Sequence, residues 1–277
     1  MSALVHSSTL VTAGVYLLLR HNYIILGGGG ARVVLGVGLI TMLMAGAAAL
    51  FELDIKKIVA LSTLSQLGVI FFSLGLGLPF LAFFHLVSHA YFKAVLFMAA
   101  GAIIHRVKDY QDLRKVGRSA LNKPLLGSVI LTANLSLCGM PFLSGFYSKD
   151  LILEIMMIGG QGLFLCAVSV FATVLTVVYS CRLTLLLFRA HTRREPFRLE
   201  GDANPTMSIR ILILILPAIT EGFFLTNIIP SATLIFLGLA QKIIIILFIL
   251  MSAALTLLLF DFKFQPGGRF LNLAHEI

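Results

Sequence analysis

The chain has 277 residues, of which 59% are hydrophobic and 12% charged, whereas an ordinary soluble domain carries about a quarter charged residues. Mean hydropathy is +1.02, and apolar runs of about 18 residues or more recur from end to end, each long enough to cross a hydrocarbon layer as a helix. These features exclude a water-soluble globular fold and imply a polytopic membrane protein. Lys+Arg 21 against Asp+Glu 12 give a formal net charge of +9, which in such a chain is read first as topology. No basic helix with interleaved aromatics supports nucleic-acid binding.

Charges and turn residues predict an all-α bundle of about eight transmembrane helices. They cover residues 2–19, 31–51, 55–76, 79–104, 125–158, 162–188, 209–227 and 232–260. The first shows no basic region before its apolar stretch and no convincing cleavage site, so it does not read as a removable signal peptide. The fifth is too long for one straight crossing and carries Gly139, Pro141 and Gly145 in its middle. Proline removes a ladder hydrogen bond and glycine relaxes the backbone, which predicts a helix broken near residues 138–146 at membrane depth. Broken membrane helices persist where protein or a watered cavity satisfies the freed backbone groups, and they point to transport sites. Cys138, Cys166 and Cys181 all lie in apolar stretches without CxxC spacing, so neither a disulfide framework nor a zinc site is indicated.

Because consecutive spans alternate sides, the loops test the helix count. One side receives fifteen basic residues, from Lys56 and Lys57, the connections 106–123 and 189–210, and the tail with Lys263 and Arg269; the other receives Arg20 and Arg32. This asymmetry obeys the positive-inside rule and supports eight spans.

Four basic residues fall within predicted spans: Lys93, Lys149, Arg182 and Lys242. Arg182 and Lys242 lie near span ends, where long side chains reach the interface. Lys93 sits near the middle of the fourth span, where a charge costs about 2.5 to 3.5 kcal/mol on insertion scales and requires polar partners or water. The segment HLVSHAYFKAVLF places His85, His89 and Lys93 at i, i+4 and i+8. They project from one helix face about 6 Å apart and form a stripe of titratable groups on an apolar helix. Histidine titrates near neutrality and burial disfavours a charged amine, so such a stripe can pass protons. The alternative is that the histidines only donate hydrogen bonds between helices.

Lys149 follows the predicted break in GMPFLSGFYSKDLILE, beside Asp150 and one turn before Glu154. It is either an interface cluster at a helix end or a group about one turn beyond an unwound segment, where helix dipoles and freed carbonyls act on a cation. Glu52, Asp54, Lys56 and Lys57 form an acid–base cluster at the start of the third span, either a solvated face or one that turns Lys56 inward. His6 stands beside Ser7, Ser8 and Thr9 and is open to both a structural and a functional role.

Other chemistries lack support. There is no glycine-rich phosphate loop followed by Lys-Ser/Thr, no HExxH and no GxSxG, and the Gly27–Gly30 run reads as a flexible turn. His85 and His89, four apart on one helix, cannot take opposite axial positions of one haem.

The segments SALVHSSTLVTAGVYLL, FELDIKKIVALSTLSQLG, HLVSHAYFKAVLFMAAGAIIH, DLRKVG and GMPFLSGFYSKDLILE strongly resemble the subunit-5 family of mitochondrial NADH:ubiquinone oxidoreductase, respiratory complex I. Related sequences occur in bacterial complex I and Mrp-type sodium/proton antiporters. The resemblance covers roughly residues 2–188 well and the rest loosely. It implies two inverted five-helix repeats, each with a broken helix and a lysine-centred half-channel, then further helices and a long lateral helix.

By that resemblance, residues 1–190 would hold the end of the first repeat and the whole second repeat, an antiporter-like translocating domain. Residues 191–277 would be C-terminal transmembrane helices without the lateral helix. His6 would lie at the junction between half-channels, Lys56 with nearby Asp54 on the second helix of the second repeat, His85, His89 and Lys93 on the central axis, and Lys149 at the outlet. The family's first seven helices are not in this sequence, which therefore reads as about half a subunit, partial or split. The resemblance implies a proton-translocating subunit in the mitochondrial inner membrane, in the lipid bilayer with other membrane-arm subunits. It would bind no cofactor itself, with NADH, FMN, iron–sulfur clusters and ubiquinone held by partner subunits. A secondary sodium/proton antiporter and a purely structural assembly subunit are the alternatives.

Overall fold

The computed structural model describes residues 10–27, 29–107, 110–117, 119–121, 124–158, 162–189, 205–228 and 239–264. His6, the connection 190–204 and the tail 265–277 lie outside them. Among the described residues the chain is helical: α1 (Leu10–Arg20), α2 (Asn22–Gly27), α3 (Gly30–Phe51), α4 (Ile55–Gly75), α5 (Pro79–Arg106), α6 (Leu113–Val116), α7 (Pro124–Cys138), a π-helical turn (Phe146–Asp150), α8 (Leu151–Ile158), α9 (Leu163–Arg189), α10 (Pro205–Ile228) and α11 (Leu239–Phe264). No strand forms among them, and the sole extended pairing there is an isolated bridge between Asp54 and Asp112.

Five helices are long and apolar enough to cross a membrane: α3, α4, α5, α9 and the Ile209–Thr226 part of α10. Shorter apolar helices at Val11–Arg20, Pro124–Cys138 and Ile243–Leu259 occupy the first, fifth and eighth predicted stretches. A described helix therefore falls in each of the eight stretches, residues 2–9 of the first and 232–238 of the eighth lying outside the described residues, and the fifth is not one rod. The short α6 in the basic 106–123 connection was not foreseen; Asp112 caps it by accepting from the Arg114 N–H at 3.0 Å.

The start of α4, the described part of the 106–123 connection and the C-terminal end of α9 gather at one end of the bundle. The Ile55 N–H donates to the Gln111 carbonyl and the Leu113 N–H to the Leu53 carbonyl, each at 3.0 Å, while the Ala120 N–H reaches the Leu187 carbonyl at 3.3 Å. Arg182, near the same end of α9, donates to the Leu50 carbonyl and at 3.1 Å to the Glu52 carbonyl. Leu50 lies in the last turn of α3 and Glu52 is its C-cap residue, so the guanidinium caps a helix C-terminus. Lys242 begins α11, but its side chain is outside the described set.

α3 and α4 approach each other closely because small residues line their contact. A Cβ on Gly68 would stand 2.8 Å from the Met42 backbone nitrogen, and one on Gly75 would stand 2.6 Å from that of Leu35. Without a hydrophobic drive between helices in lipid, such backbone approach supplies much of the association energy. This pair buries one flank of α4 and leaves its other polar face to α5 and α9. α10 packs on α5, α7 and the π turn, and α11 packs on α9.

The predicted break is present. α7 ends at Cys138, Gly139 takes φ +84°, and the Gly139 and Met140 N–H groups donate back to Ser136 at 3.2 Å and Leu135 at 3.1 Å. That pattern is a Schellman ending, which satisfies carbonyls a continuing helix would have used. The chain rewinds at Ser144 and enters the π turn at Phe146, an i→i+5 geometry that is rare and frequently found at functional sites. Gly145 sits directly against the Ser136 carbonyl, where any Cβ would collide, so the two halves of the interrupted helix touch through backbone.

Candidate functional site: a buried polar file between two lysines

Helix periodicity alone places His85, His89 and Lys93 on one face of α5, and all three are fully buried. The His85 and His89 ring centroids lie 6.3 Å apart, and His89 packs edge-on against Phe92. Facing them on α4 are Ser62, Ser65 and Gln66, all buried. Lys93 donates from Nζ to Ser62 Oγ, and His85 Nε2 meets Gln66 Oε1 at 3.2 Å.

His85 also links α5 to the broken helix through Nδ1, 2.9 Å from Ser148 Oγ. A glutamine carbonyl only accepts, so the neutral His85 ring carries its hydrogen on Nε2, and Nδ1 accepts from the Ser148 hydroxyl. Ser88 has one hydroxyl hydrogen to give, either to Ser148 Oγ at 3.2 Å or to the His85 carbonyl at 3.1 Å. The next residue, Lys149, is 2% exposed and donates to Thr176 Oγ1 on α9 at 2.6 Å. Buried polar groups thus run from Lys93 through His89, His85 and Ser148 to Lys149, held by four elements.

Two positions in the file are unpartnered. Both ring nitrogens of His89 and both carboxylate oxygens of Asp150 are buried without a hydrogen-bond partner among the described residues. Burying such groups dry costs energy, so they define where water or a transferred proton gains most. Asp150 lies within electrostatic reach of Lys149 and Glu154, and its Oδ1 would stand 3.3 Å from a Cβ at Gly139. The break and the acidic group are therefore one structure. The reading of Lys149, Asp150 and Glu154 as an interface cluster at a helix end is overturned, since they are only 2%, 3% and 4% exposed.

The acid–base cluster at the start of α4 lies elsewhere. Lys56 is exposed, and Lys57 makes the ion pairs, at 3.3 Å to Asp54 and 4.0 Å to Glu52. The inward-pointing alternative for Lys56 is corrected here: the first turn of α4 turns Ile55 and Ile58 to the core, so positions 56 and 57 face out. Ser62, Ser65, Gln66, Ser148, Thr176 and Tyr179 were not singled out from sequence. The signal for three of them was available in STLSQ, a polar cluster inside an apolar span.

α10 holds the rewound segment in place. Ser144 donates to the Ala218 carbonyl at 2.6 Å, and a Cβ on Gly222 would stand 2.7 Å from Ser144 Cα and Tyr147 Cδ2. A buried lysine on an interrupted helix, facing a histidine–lysine stripe on a continuous one, is the construction of an antiporter-like multi-pass membrane protein.

Comparison with known proteins agrees with that class. The family described as NADH:quinone oxidoreductase/Mrp antiporter, TM, matches residues 1–176, and the NADH dehydrogenase subunit 5 C-terminus matches residues 179–274. The chain belongs to the NADH:quinone oxidoreductase/Mrp antiporter transmembrane family. It is 49% identical over 226 residues to NADH-ubiquinone oxidoreductase chain 5 of Anopheles gambiae, covering 82% of this chain and 39% of that protein. The chain 5 protein of Locusta migratoria is 42% identical over 96% of this chain and 46% of its own length, and that of Rattus norvegicus 40% over 84% and 39%. The chain thus spans less than half the length of these relatives. Among solved structures, a chain of the Mrp complex from Dietzia sp. matches with TM-score 0.79 at 24% identity, covering 99% of this chain and 31% of that one. A chain of an archaeal membrane-bound sulfane sulfur reductase matches with TM-score 0.63 at 30% identity, covering 69% and 32%.

Proposed function

We propose that this chain is part of a membrane-arm subunit of complex I, in the mitochondrial inner membrane, that couples NADH oxidation by ubiquinone to proton translocation. The observation that carries the reading is the buried file from Lys93 to Lys149, because a protein keeps two lysines out of water only with a use for their protons. A proton taken up at Lys93 moves through hydration at His89 to His85, whose two ring nitrogens are bonded on opposite sides, and on through Ser148 to Lys149. Asp150 and Glu154 stabilise charge at that end. The chain binds no cofactor in this reading; NADH, FMN, iron–sulfur clusters and ubiquinone belong to partner subunits, and redox energy arrives as a change of charge or hydration along the file. His6 would join this path to the neighbouring repeat, and Lys56 with Asp54 would line its surface entrance.

The test is Lys93→Ala and Lys149→Ala in the intact subunit, with complex abundance, NADH oxidation and proton uptake into vesicles measured together. Each variant is expected to lower protons moved per NADH. Unchanged proton yield in both refutes the reading, and sodium-dependent proton exchange in vesicles without NADH replaces it with a secondary antiporter. If abundance and activity fall in proportion with the yield intact, the role is structural.

A further inference from the structure

Lys93 and Lys149 are joined by more than the histidine file. On α4, Ser65 Oγ shares a hydrogen bond of 3.1 Å with the hydroxyl of Tyr179 on α9, and both side chains are buried. Ser65 also spends its single hydroxyl hydrogen on the Ser62 carbonyl at 2.9 Å, so in this arrangement Tyr179 donates and Ser65 accepts. Ser62, one turn away on the same face, receives Lys93. Thr176, one turn from Tyr179 on α9, receives Lys149. We propose that Ser62, Ser65, Tyr179 and Thr176 form a second, hydroxyl-lined arm between the lysines, with Tyr179 as its relay residue from α4 to α9.

This arm rests on the translocation reading above and adds a route to it. It matters because the histidine arm is interrupted at His89, whose nitrogens have no partner among the described residues. The hydroxyl arm crosses between helices through a direct bond. Its two open steps, Ser62 to Ser65 and Tyr179 to Thr176, each join residues three apart on one helix, and water closes them in this proposal. In the resting arrangement the hydroxyl hydrogens of Ser62, Ser65 and Thr176 lie on the Val59, Ser62 and Thr173 carbonyls and that of Tyr179 on Ser65, so each hydroxyl turns before it accepts a proton from the Lys93 side and releases its own towards Lys149. One proton leaves Lys93, one arrives at Lys149, and no electron or heavy atom moves.

The experiment uses the assembled complex in vesicles with Tyr179→Phe, Ser65→Ala, the double variant and Lys93→Ala in parallel. Tyr179→Phe keeps the ring and removes only the relay oxygen. The expected result is a loss of proton yield per NADH in both single variants, no further loss in the double, uncoupled NADH oxidation retained, and an altered solvent deuterium isotope effect on proton uptake. A packing defect alone would not move the isotope effect. Parental yield and isotope effect in the single variants, with Lys93→Ala impaired, overturn the arm and leave the translocation reading standing. Parental yield in Lys93→Ala as well overturns both. If Tyr179→Phe fails to assemble, Ser65→Ala decides by the same two readouts.

Discussion

Ser148→Ala tests the junction between the continuous and broken helices. Ser148 Oγ lies 2.9 Å from His85 Nδ1, and alanine removes the donor without a change in backbone preference large enough to matter at one position. Ser88 loses an acceptor but keeps the His85 carbonyl at 3.1 Å, so the substitution orphans one buried group, the imidazole Nδ1. Leaving one buried acceptor unsatisfied costs about 1–3 kcal/mol, a factor of about five to 150 in the population holding His85 between Gln66 and the π turn. Water that enters the space of the lost hydroxyl recovers part of this, which sets the lower end. The assay is proton uptake per NADH by assembled complex in vesicles, with Gln66→Leu and the double variant completing a cycle. Because both partners act on one ring, the double variant is expected to lose less than the sum of the singles. Parental proton yield in Ser148→Ala, or strict additivity with Gln66→Leu, refutes the assignment of His85 as the link.

Further expectations follow from the break and the loop end. Gly145→Ala forces the two halves of the broken helix apart, because the new Cβ meets the Ser136 carbonyl; a loss of at least about 1–3 kcal/mol is expected in thermal unfolding of the complex, and an unchanged midpoint contradicts the contact. Arg182→Leu uncaps the last turn of α3, where Leu50 and Glu52 carbonyls receive the guanidinium; stability is expected to fall by about 1 kcal/mol with proton yield retained, and a selective loss of yield would place Arg182 in the path instead. Lys57→Ala removes an ion pair whose side chains are 63% and 36% exposed, so less than about 1 kcal/mol is expected and a larger loss in unfolding would show that this end is buried in the assembly.

The break was legible in sequence because its cause is local: Gly139 and Pro141 act on their own backbone, and the structure ends α7 where they fall. The α5 stripe was legible for the same reason, since 3.6-residue periodicity fixes which side chains share a face. What those side chains meet is not a local property. Lys93 finds Ser62, and Lys149 finds Thr176, across contacts set by small residues elsewhere, such as Gly68 against Met42 and Gly222 against Ser144. Lys56 shows the converse: its charge pattern matched a functional cluster, yet the rotation of α4, fixed by burying Ile55 and Ile58, turns it outward. The same rotation brings Ser62, Ser65 and Gln66 onto the lysine-facing side of α4. A polar residue in an apolar span thus announces that it needs a partner, and the packing of glycines on neighbouring helices decides which one it receives.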